Sequence, residues 1–205
     1  MDDARARPLS KSDLDPDPLR QFEAWFEEAR AARVELAEAT ALATATRDGR
    51  PSVRMVLMKG FDERGFVFYS GYESRKGREL AENPRAAMCF YWHALGRQAR
   101  IEGTVERVAP EESAAYFGTR PLGSRLSATV SRQSQVVESR EELQTAAEEL
   151  RARYGDEAVP LPADWGGFRL APEVFEFWQH REDRLHDRFR YRPADGGWLI
   201  ERLAP

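Results

Sequence analysis

The chain is poor in the residues that carry much enzyme chemistry. It has one cysteine, Cys89, in 205 residues. That excludes an internal disulfide framework and any cysteine-cluster metal site. Set in an apolar run, Cys89 reads as an inert core thiol. Of 31 basic residues only three are lysine (Lys11, Lys59, Lys76), leaving 28 arginines. No apolar run approaches the roughly 18 residues of a membrane span. The N-terminal stretch MDDARARPLSKSD lacks the apolar core of a signal peptide, so a cytoplasmic protein is expected. There is no G-x-G-x-x-G after a strand, no P-loop, no H-E-x-x-H and no G-x-S-x-G. His93, His180 and His186 have no metal-ligand spacing, so no metal is expected.

What is present narrows the class further. A hydrophobic fraction of 41% with eleven Phe and five Trp is too apolar for disorder. The length suits a sizeable core. A net charge of −4 argues against a generic nucleic-acid binder, so any anion site must be local. The arginine excess has two sources: a GC-rich genome, and positions that need a planar, permanently charged, bidentate donor.

Residues 1–16 are polar and aperiodic and read as a flexible arm, followed by one domain over 17–205. Asp17 and Pro18 form a helix start, and Phe22, Trp25, Phe26 and Ala29 give it an apolar face to about Arg33. Strands follow from Thr40, with Asp48-Gly49 as a hairpin turn into Ser52–Lys59, then Phe66–Tyr69. Glu73–Asn83 reads as a short helix, and Ala86–Trp92 and Gln98–Val108 as strands. Pro110–Thr119 and Ser124–Val130 read as helices, and Ser139-Arg140-Glu141-Glu142 is a capping box. Gly167–Trp178, Arg184–Tyr191 and Trp198–Arg202 complete seven or eight mostly antiparallel strands. A small β-barrel flanked by helices fits best.

Four groups could carry chemistry. Arg54 and Lys59 bracket Met55-Val56-Leu57-Met58, but their odd spacing puts them on opposite faces of a regular strand. They read as a charged edge, or as a ligand pair if a bulge or strand end re-aims them. Ser74-Arg75-Lys76-Gly77-Arg78 opens the short helix and reads as a solvated basic turn or a phosphate site at a helix N-terminus. Tyr116 and Arg120 share a helix face, with Ser124 placed to cap the next helix. They read as a core tyrosine with a surface arginine, or as a phosphate-monoester site. Arg184, His186 and Arg188 alternate and are expected on one face of a strand, either exposed or facing anionic partners. Gln98, Gln133, Ser134 and Trp178 are ambiguous singly, Trp178 being most simply a core aromatic.

Taken in order these groups stop being independent. Arg54 through Lys59, Ser74-Arg75-Lys76, Arg97-Gln98, Arg120-Pro121, Ser131-Arg132-Gln133-Ser134, Trp165-Gly166-Gly167, Glu176-Phe177-Trp178-Gln179, Arg184-Leu185-His186-Asp187-Arg188 and the terminal Glu201-Arg202-Leu203-Ala204-Pro205 closely resemble the pyridoxamine 5′-phosphate oxidase family. The resemblance runs from about Leu14 to the end. It implies a mainly β, FMN-binding split barrel with flanking helices, a homodimer with FMN between the subunits. It further implies oxidation of pyridoxamine or pyridoxine 5′-phosphate to pyridoxal 5′-phosphate, with O2 as acceptor and H2O2 as product, in vitamin B6 metabolism. By the same resemblance Arg54, Met55, Val56, Leu57, Met58, Lys59, Tyr69, Ser70, Arg75, Lys76, Gln98, Gln133, Ser134, Trp178 and Arg188 hold the flavin. Lys59, Tyr116, Arg120, Ser124, Arg184, Leu185 and His186 hold the substrate, with Arg184 and His186 catalytic.

Three features depart from the family pattern. The family's Arg/Tyr-bearing segment has no clear counterpart before Leu14, where only Arg5 and Arg7 stand. Arg125-Leu126-Ser127-Ala128 stands where the family has Gln-(Ile/Leu)-Gly-Ala. His180-Arg181 follows Trp178-Gln179 where a glycine is common. Two other readings stay open: a related flavin oxidase of another substrate such as a phenazine precursor, and a split-barrel protein that binds FMN or pyridoxal phosphate without turnover.

Overall fold

The computed structural model describes residues 7–155 and 159–205. Among them nine strands form one antiparallel sheet: β1 (Ala39–Ala45), β2 (Pro51–Leu57), β3 (Gly60–Asp62), β4 (Gly65–Gly71), β5 (Arg85–Trp92), β6 (Arg97–Arg107), β7 (Trp165–Gln179), β8 (Asp187–Ala194) and β9 (Gly197–Leu203). The helices are α1 (Pro18–Ala31), α2 (Arg75–Glu82), α3 (Pro110–Thr119), α4 (Leu122–Val130) and α5 (Arg140–Tyr154). The strand order is β2-β1-β5-β6-β7-β4-β3, with β8 on β7 and β9 on β8. None of the described helices is long and apolar enough to cross a membrane.

β7 curls this sheet. β6 pairs along nearly its whole length, but the other edge changes partner: residues 165–170 pair with β4 and residues 175–179 with β8. A register shift at Glu102/Gly103 marks a bulge, which bends the ladder. Gly103 is required there, because a Cβ would lie 1.9 Å from the carbonyl oxygen of Ala171. The result is a half-barrel with its apolar face inward.

α1 fills the concavity. Asp17 caps it by accepting from the Leu19 amide at 2.9 Å, and Pro18 occupies the first helical position, as its sequence implies. Phe22 is fully buried, with ring centroids 4.8–5.9 Å from Phe26, Phe61, Phe66, Phe90 and Trp92. Trp25 packs edge-on against Phe177.

Several expectations need correction. Over residues 7–16 the arm is packed: Leu9 and Leu14 are buried in the core, and the Leu9 amide donates to Asp187 Oδ2 at 3.1 Å. Two isolated leucines carry no period, so the pattern could not reveal their burial. Residues 1–6 of the expected arm lie outside the described residues. Arg184 is not on a strand: Glu182–Arg184 form a 3-10 turn, Asp183 and Arg184 have φ of 56° and 61°, and β8 starts only at Asp187. The alternation Arg184, His186, Arg188 is therefore not a strand face. Ser124 is the third residue of α4, whose cap position belongs to Pro121, and its own amide donates to the Pro121 carbonyl at 2.9 Å. The short strand β3 was not anticipated. At α5, Ser139 accepts from the Glu142 amide, but the Glu142 carboxylate accepts from Glu138 rather than Ser139, so only half the capping box forms.

Phe22 joins more aromatic neighbours than any other core ring described above. Phe22→Ala should lower the unfolding free energy by about 3–5 kcal/mol. Urea denaturation followed by fluorescence checks this, with the midpoint falling and the slope unchanged.

Candidate functional site

One cavity, of about 610 Å³, gathers most of the residues singled out above. β2 contributes Arg54, Met55, Val56 and Leu57, and Lys59 follows it. β2 ends at Leu57, so strand parity no longer applies at Lys59 and both basic residues reach the same space. β4 contributes Tyr69 and Ser70, the start of α2 Arg75 and Lys76, and α3 with its end Tyr116 and Arg120. Gln133 and Ser134 line it from the loop after α4. Met58 and Ser124 do not: Met58 is buried in the core, and Ser124 sits on α4 outside the lining.

The basic wall is organised by an acid that the sequence reading passed over. Glu79, on α2, is 4% exposed. Thr44 and Ser52 hydroxyls each donate to its Oε2 at 2.5 Å, Arg75 Nε donates to Oε1 at 2.9 Å, and Arg54 Nη2 lies 3.3 Å from Oε2. Burial acts to raise its pKa, but the hydrogen bonds from Ser52, Thr44 and Arg75 and the Arg54 charge outweigh it, and the value falls to about 2. Arg54 also donates to the Leu42 carbonyl at 3.1 Å, to Thr44 at 2.5 Å and to Ser52. Two arginines are thus fixed from strand and helix by one carboxylate. The available signal was the i, i+4 spacing of Arg75 and Glu79.

Lys76 is buried, and its ammonium donates to Ser70 Oγ at 2.9 Å, Gln133 Oε1 at 2.7 Å and Ser74 Oγ at 3.3 Å. Burial, then the Arg54 charge, lowers its pKa to about 8 against the pull of Glu79. Ser74 caps α2 by accepting from the Gly77 amide at 3.2 Å. Arg54, Arg75, Lys76 and this helix start together present the positive charge and N–H donors that suit an anion such as a phosphate.

A second group faces the same cavity. Tyr69 and Tyr116 stack at 3.8 Å, and both lie parallel to Trp165, at 5.5 and 6.3 Å. Burial pushes the Tyr69 phenol up to about 12. The Arg120 guanidinium lies 4.7 Å from the Trp165 ring centre, and its Nη1 is buried without a hydrogen-bond partner. An orphaned guanidinium nitrogen lining a cavity calls for an anion. Trp165 belongs to the Trp165-Gly166-Gly167 motif, and nothing in its sequence context marks it as a site residue.

The remaining candidates lie elsewhere. Gln98, Trp178 and Arg188 stand directly opposite one another across β6, β7 and β8. Arg188 donates twice to Glu176 Oε1, at 2.9 and 2.8 Å, and once to the Ala204 carbonyl at 2.8 Å. Trp178 packs 4.6 Å from His186, and Arg184 and Leu185 are exposed on the turn beyond. Trp165 and Trp178 are thirteen residues apart on β7, about 40 Å of strand. One chain therefore presents two separate clusters.

A family model described as pyridoxamine 5′-phosphate oxidase matches residues 26–154. The chain belongs to the pyridoxamine 5′-phosphate oxidase family. Residues 165–205 match the pyridoxine 5′-phosphate oxidase C-terminal dimerisation region, which holds Trp178, Arg184, His186 and Arg188. The chain is 56% identical over 197 residues to the pyridoxine/pyridoxamine 5′-phosphate oxidase of Rubrobacter xylanophilus, covering 96% of this chain and 91% of that one. It is 57% identical over 189 residues to the enzyme of the same name from Bordetella petrii, covering 92% and 89%. Among solved structures, PhzG from Burkholderia lata in complex with tetrahydrophenazine-1-carboxylic acid superposes with a TM-score of 0.92 at 35% identity, covering 98% of this chain and all of that one. A related FMN-binding protein from Nostoc punctiforme shares the fold, with a TM-score of 0.72 at 19% identity and coverage of 92% and 97%. The family makes the chain an oxidoreductase with a split-barrel fold.

The depressed pKa of Glu79 has a consequence for stability. Its folded value is below the ordinary 4.5, so it adds stability fully above pH 4.5 and loses that contribution as pH falls towards 2. Glu79→Gln should therefore show a shallower loss of stability across that window than the parent, measured by denaturation at a series of pH values.

Proposed function

We propose that this chain oxidises pyridoxamine 5′-phosphate or pyridoxine 5′-phosphate to pyridoxal 5′-phosphate, using FMN and O2, as a homodimer whose sites draw on both subunits. The observation that carries this reading is the pair of cation groups in one cavity. Arg54, Arg75 and Lys76 line the cavity as a group tied together by Glu79, and Lys59, Tyr116 and Arg120 line it as well. Two anionic groups in one cavity suit a cofactor phosphate and a substrate phosphate. The residues fit FMN: three cations and a capped helix start for its phosphate, and hydrogen-bonding Ser70, Gln133 and Ser134 beside them. When bound, FMN supplies the electron acceptor that takes the pair from the substrate's carbon–hydrogen bond and passes it to O2. For the amine, water and O2 are consumed and ammonia and H2O2 are released; the alcohol gives H2O2 alone.

The protein's share is placement and charge. Arg120, with an unsatisfied Nη1, takes the substrate phosphate, assisted by Tyr116 and Lys59. Arg184 and His186 cover the pyridine ring, with Gln98, Trp178 and Arg188 completing the flavin site from the other subunit. The outer face of the sheet supports this assembly. Val53, Met55 and Leu57 are exposed along the edge strand β2, beside Ala39, Ala41 and Ala43 on β1. That face runs through β5 to the row of Gln98, Trp178 and Arg188. An apolar edge of this kind favours burial against a second copy.

The likeness to PhzG supports a second reading, a flavin oxidase of a phenazine precursor. The cation pair around Tyr116 and Arg120 favours the phosphorylated substrate. The purified protein should be yellow, and anaerobic addition of pyridoxamine 5′-phosphate should bleach the flavin band. Bleaching by a non-phosphorylated tricyclic alone would favour the second reading, and a colourless protein that does not take up FMN would overturn both.

Arg75→Ala should weaken FMN retention about tenfold or more while Arg184→Ala keeps FMN and lowers turnover by about 100-fold. Equilibrium flavin binding and steady-state oxygen uptake separate the two effects, and the reverse pattern would refute the site assignment.

A further inference from the structure

Helix α3 is seated on the first half of β7 by contacts from two adjacent residues, Glu112 and Ser113. Ser113 is buried, and its Oγ accepts from the Gly167 amide at 3.0 Å. The Gly167 carbonyl accepts from the amide of Val108, just before the helix, at 3.1 Å. Gly167 permits this close approach: a Cβ there would lie 2.5 Å from the Val108 side chain and 2.9 Å from the Tyr69 ring. The second contact is ionic. Arg169 on β7 is buried and donates through Nη2 to Glu112 Oε1 at 3.0 Å. Through Nη1 it donates to Asp62 Oδ1 at 2.6 Å and to the Gly65 carbonyl at 3.4 Å.

Neither Glu112 nor Arg169 lines the cavity, but the helix they hold does. One hydrogen bond at Ser113 fixes where α3 sits on the strand and leaves it free to roll about that point. Glu112, about 100° round the helix from Ser113, gives a second fixed point that stops the roll. Glu112 and Tyr116 are one turn apart on one face, and Arg120 follows four residues later at the helix end. A roll that carried Glu112 away from Arg169 would carry both with it. Tyr116 would leave its 3.8 Å stack on Tyr69, which stands directly opposite Gly167 across β4 and β7. Arg120 would leave its place 4.7 Å from the Trp165 ring centre. The buried guanidinium is answered by two carboxylates, and Asp62 is itself engaged by Arg64 at 2.7 Å. Removing Glu112 therefore releases the helix while Arg169 keeps Asp62.

We propose that Glu112 and Arg169 are positioning residues: their ion pair sets the roll of α3 on β7 and thereby aims Tyr116 and Arg120 at the substrate phosphate. That these two residues take this phosphate rests on the function proposed above; the control of their position does not. The pair contacts neither the group of Arg54, Arg75 and Lys76 nor the cluster around Trp178. It governs substrate affinity, and leaves FMN retention and the oxidation step alone.

Steady-state kinetics and flavin binding of the FMN-loaded protein separate these effects. Glu112→Ala should raise KM for pyridoxamine 5′-phosphate about tenfold, with kcat and the FMN dissociation constant each within about threefold of the parent. Glu112→Gln keeps an acceptor oxygen at the same reach and should restore KM to within about threefold. In an Arg120→Ala background the tenfold step should shrink to about threefold or less, because one residue it acts through is gone. An equal step in both backgrounds, a loss of FMN in step with KM, or a fall in kcat alone would overturn the positioning role. A crystal structure of FMN-loaded Glu112→Ala should show the Tyr116 ring displaced from Tyr69, and an unmoved ring would overturn the control of position. A parent protein that does not oxidise pyridoxamine 5′-phosphate would refute the proposed function while leaving that structural test intact.

Discussion

The fifteen residues of β7 are the constraint on which the architecture depends. A strand that long cannot pair with one neighbour on a twisted sheet and stay regular. β7 keeps β6 on one side and exchanges β4 for β8 on the other, with a bulge opposite the exchange. The first half thereby delivers Trp165 to the cavity beside Tyr69 and Tyr116, and the second half delivers Trp178 to the row with Gln98 and Arg188. The distance between the clusters is a property of this strand. In the function proposed here it is also the reason a monomer cannot be sufficient: each chain supplies the cavity of one site and the covering cluster of another.

Within the cavity the dominant problem is charge. Three cations on adjacent elements repel one another, and burial further penalises Arg54 and Lys76. Glu79 answers this from below the cavity floor. It accepts from Arg75 and approaches Arg54 while Thr44 and Ser52 satisfy its remaining capacity. Three positive charges and one negative leave a net of two, the charge of a phosphate dianion with opposite sign. Arg120 is a different case. It has an aromatic neighbour, Trp165, but no carboxylate, and part of its guanidinium remains unsatisfied. The first group is charge-compensated within the protein, and in the function proposed here the second is completed by the substrate phosphate.

Most of the strands and helices could be read from period and turn chemistry, because those signals are local. Asp17-Pro18 and Asp48-Gly49 mark their elements in a few residues each. What could not be read depends on contacts between distant segments. Leu9 and Leu14 look like stray apolar residues in a polar stretch until their partners are known. The alternation of Arg184, His186 and Arg188 imitates a strand, yet two consecutive left-handed residues turn the chain there. The site itself was legible through resemblance more than through chemistry, since each basic group alone had an ordinary structural reading. Glu79 escaped because an acid in a helix is unremarkable until three elements place their donors on it.

The two lysines outside the N-terminal segment then have distinct explanations. Lys76 is 7% exposed and its ammonium meets three oxygen acceptors, on Ser70, Ser74 and Gln133. A tetrahedral –NH3+ can direct three protons to acceptors on different sides. The planar guanidinium fork is larger and presents its donors in one plane, so arginine would leave some of these oxygens unmatched. In a chain that uses arginine at 28 of 31 basic positions, lysine at 76 follows from the shape of its pocket. Lys59 is exposed just past the end of β2, where a flexible point charge can follow an anion without a fixed bidentate geometry. The buried lysine contributes a fixed field to the cavity, and the exposed one contributes reach.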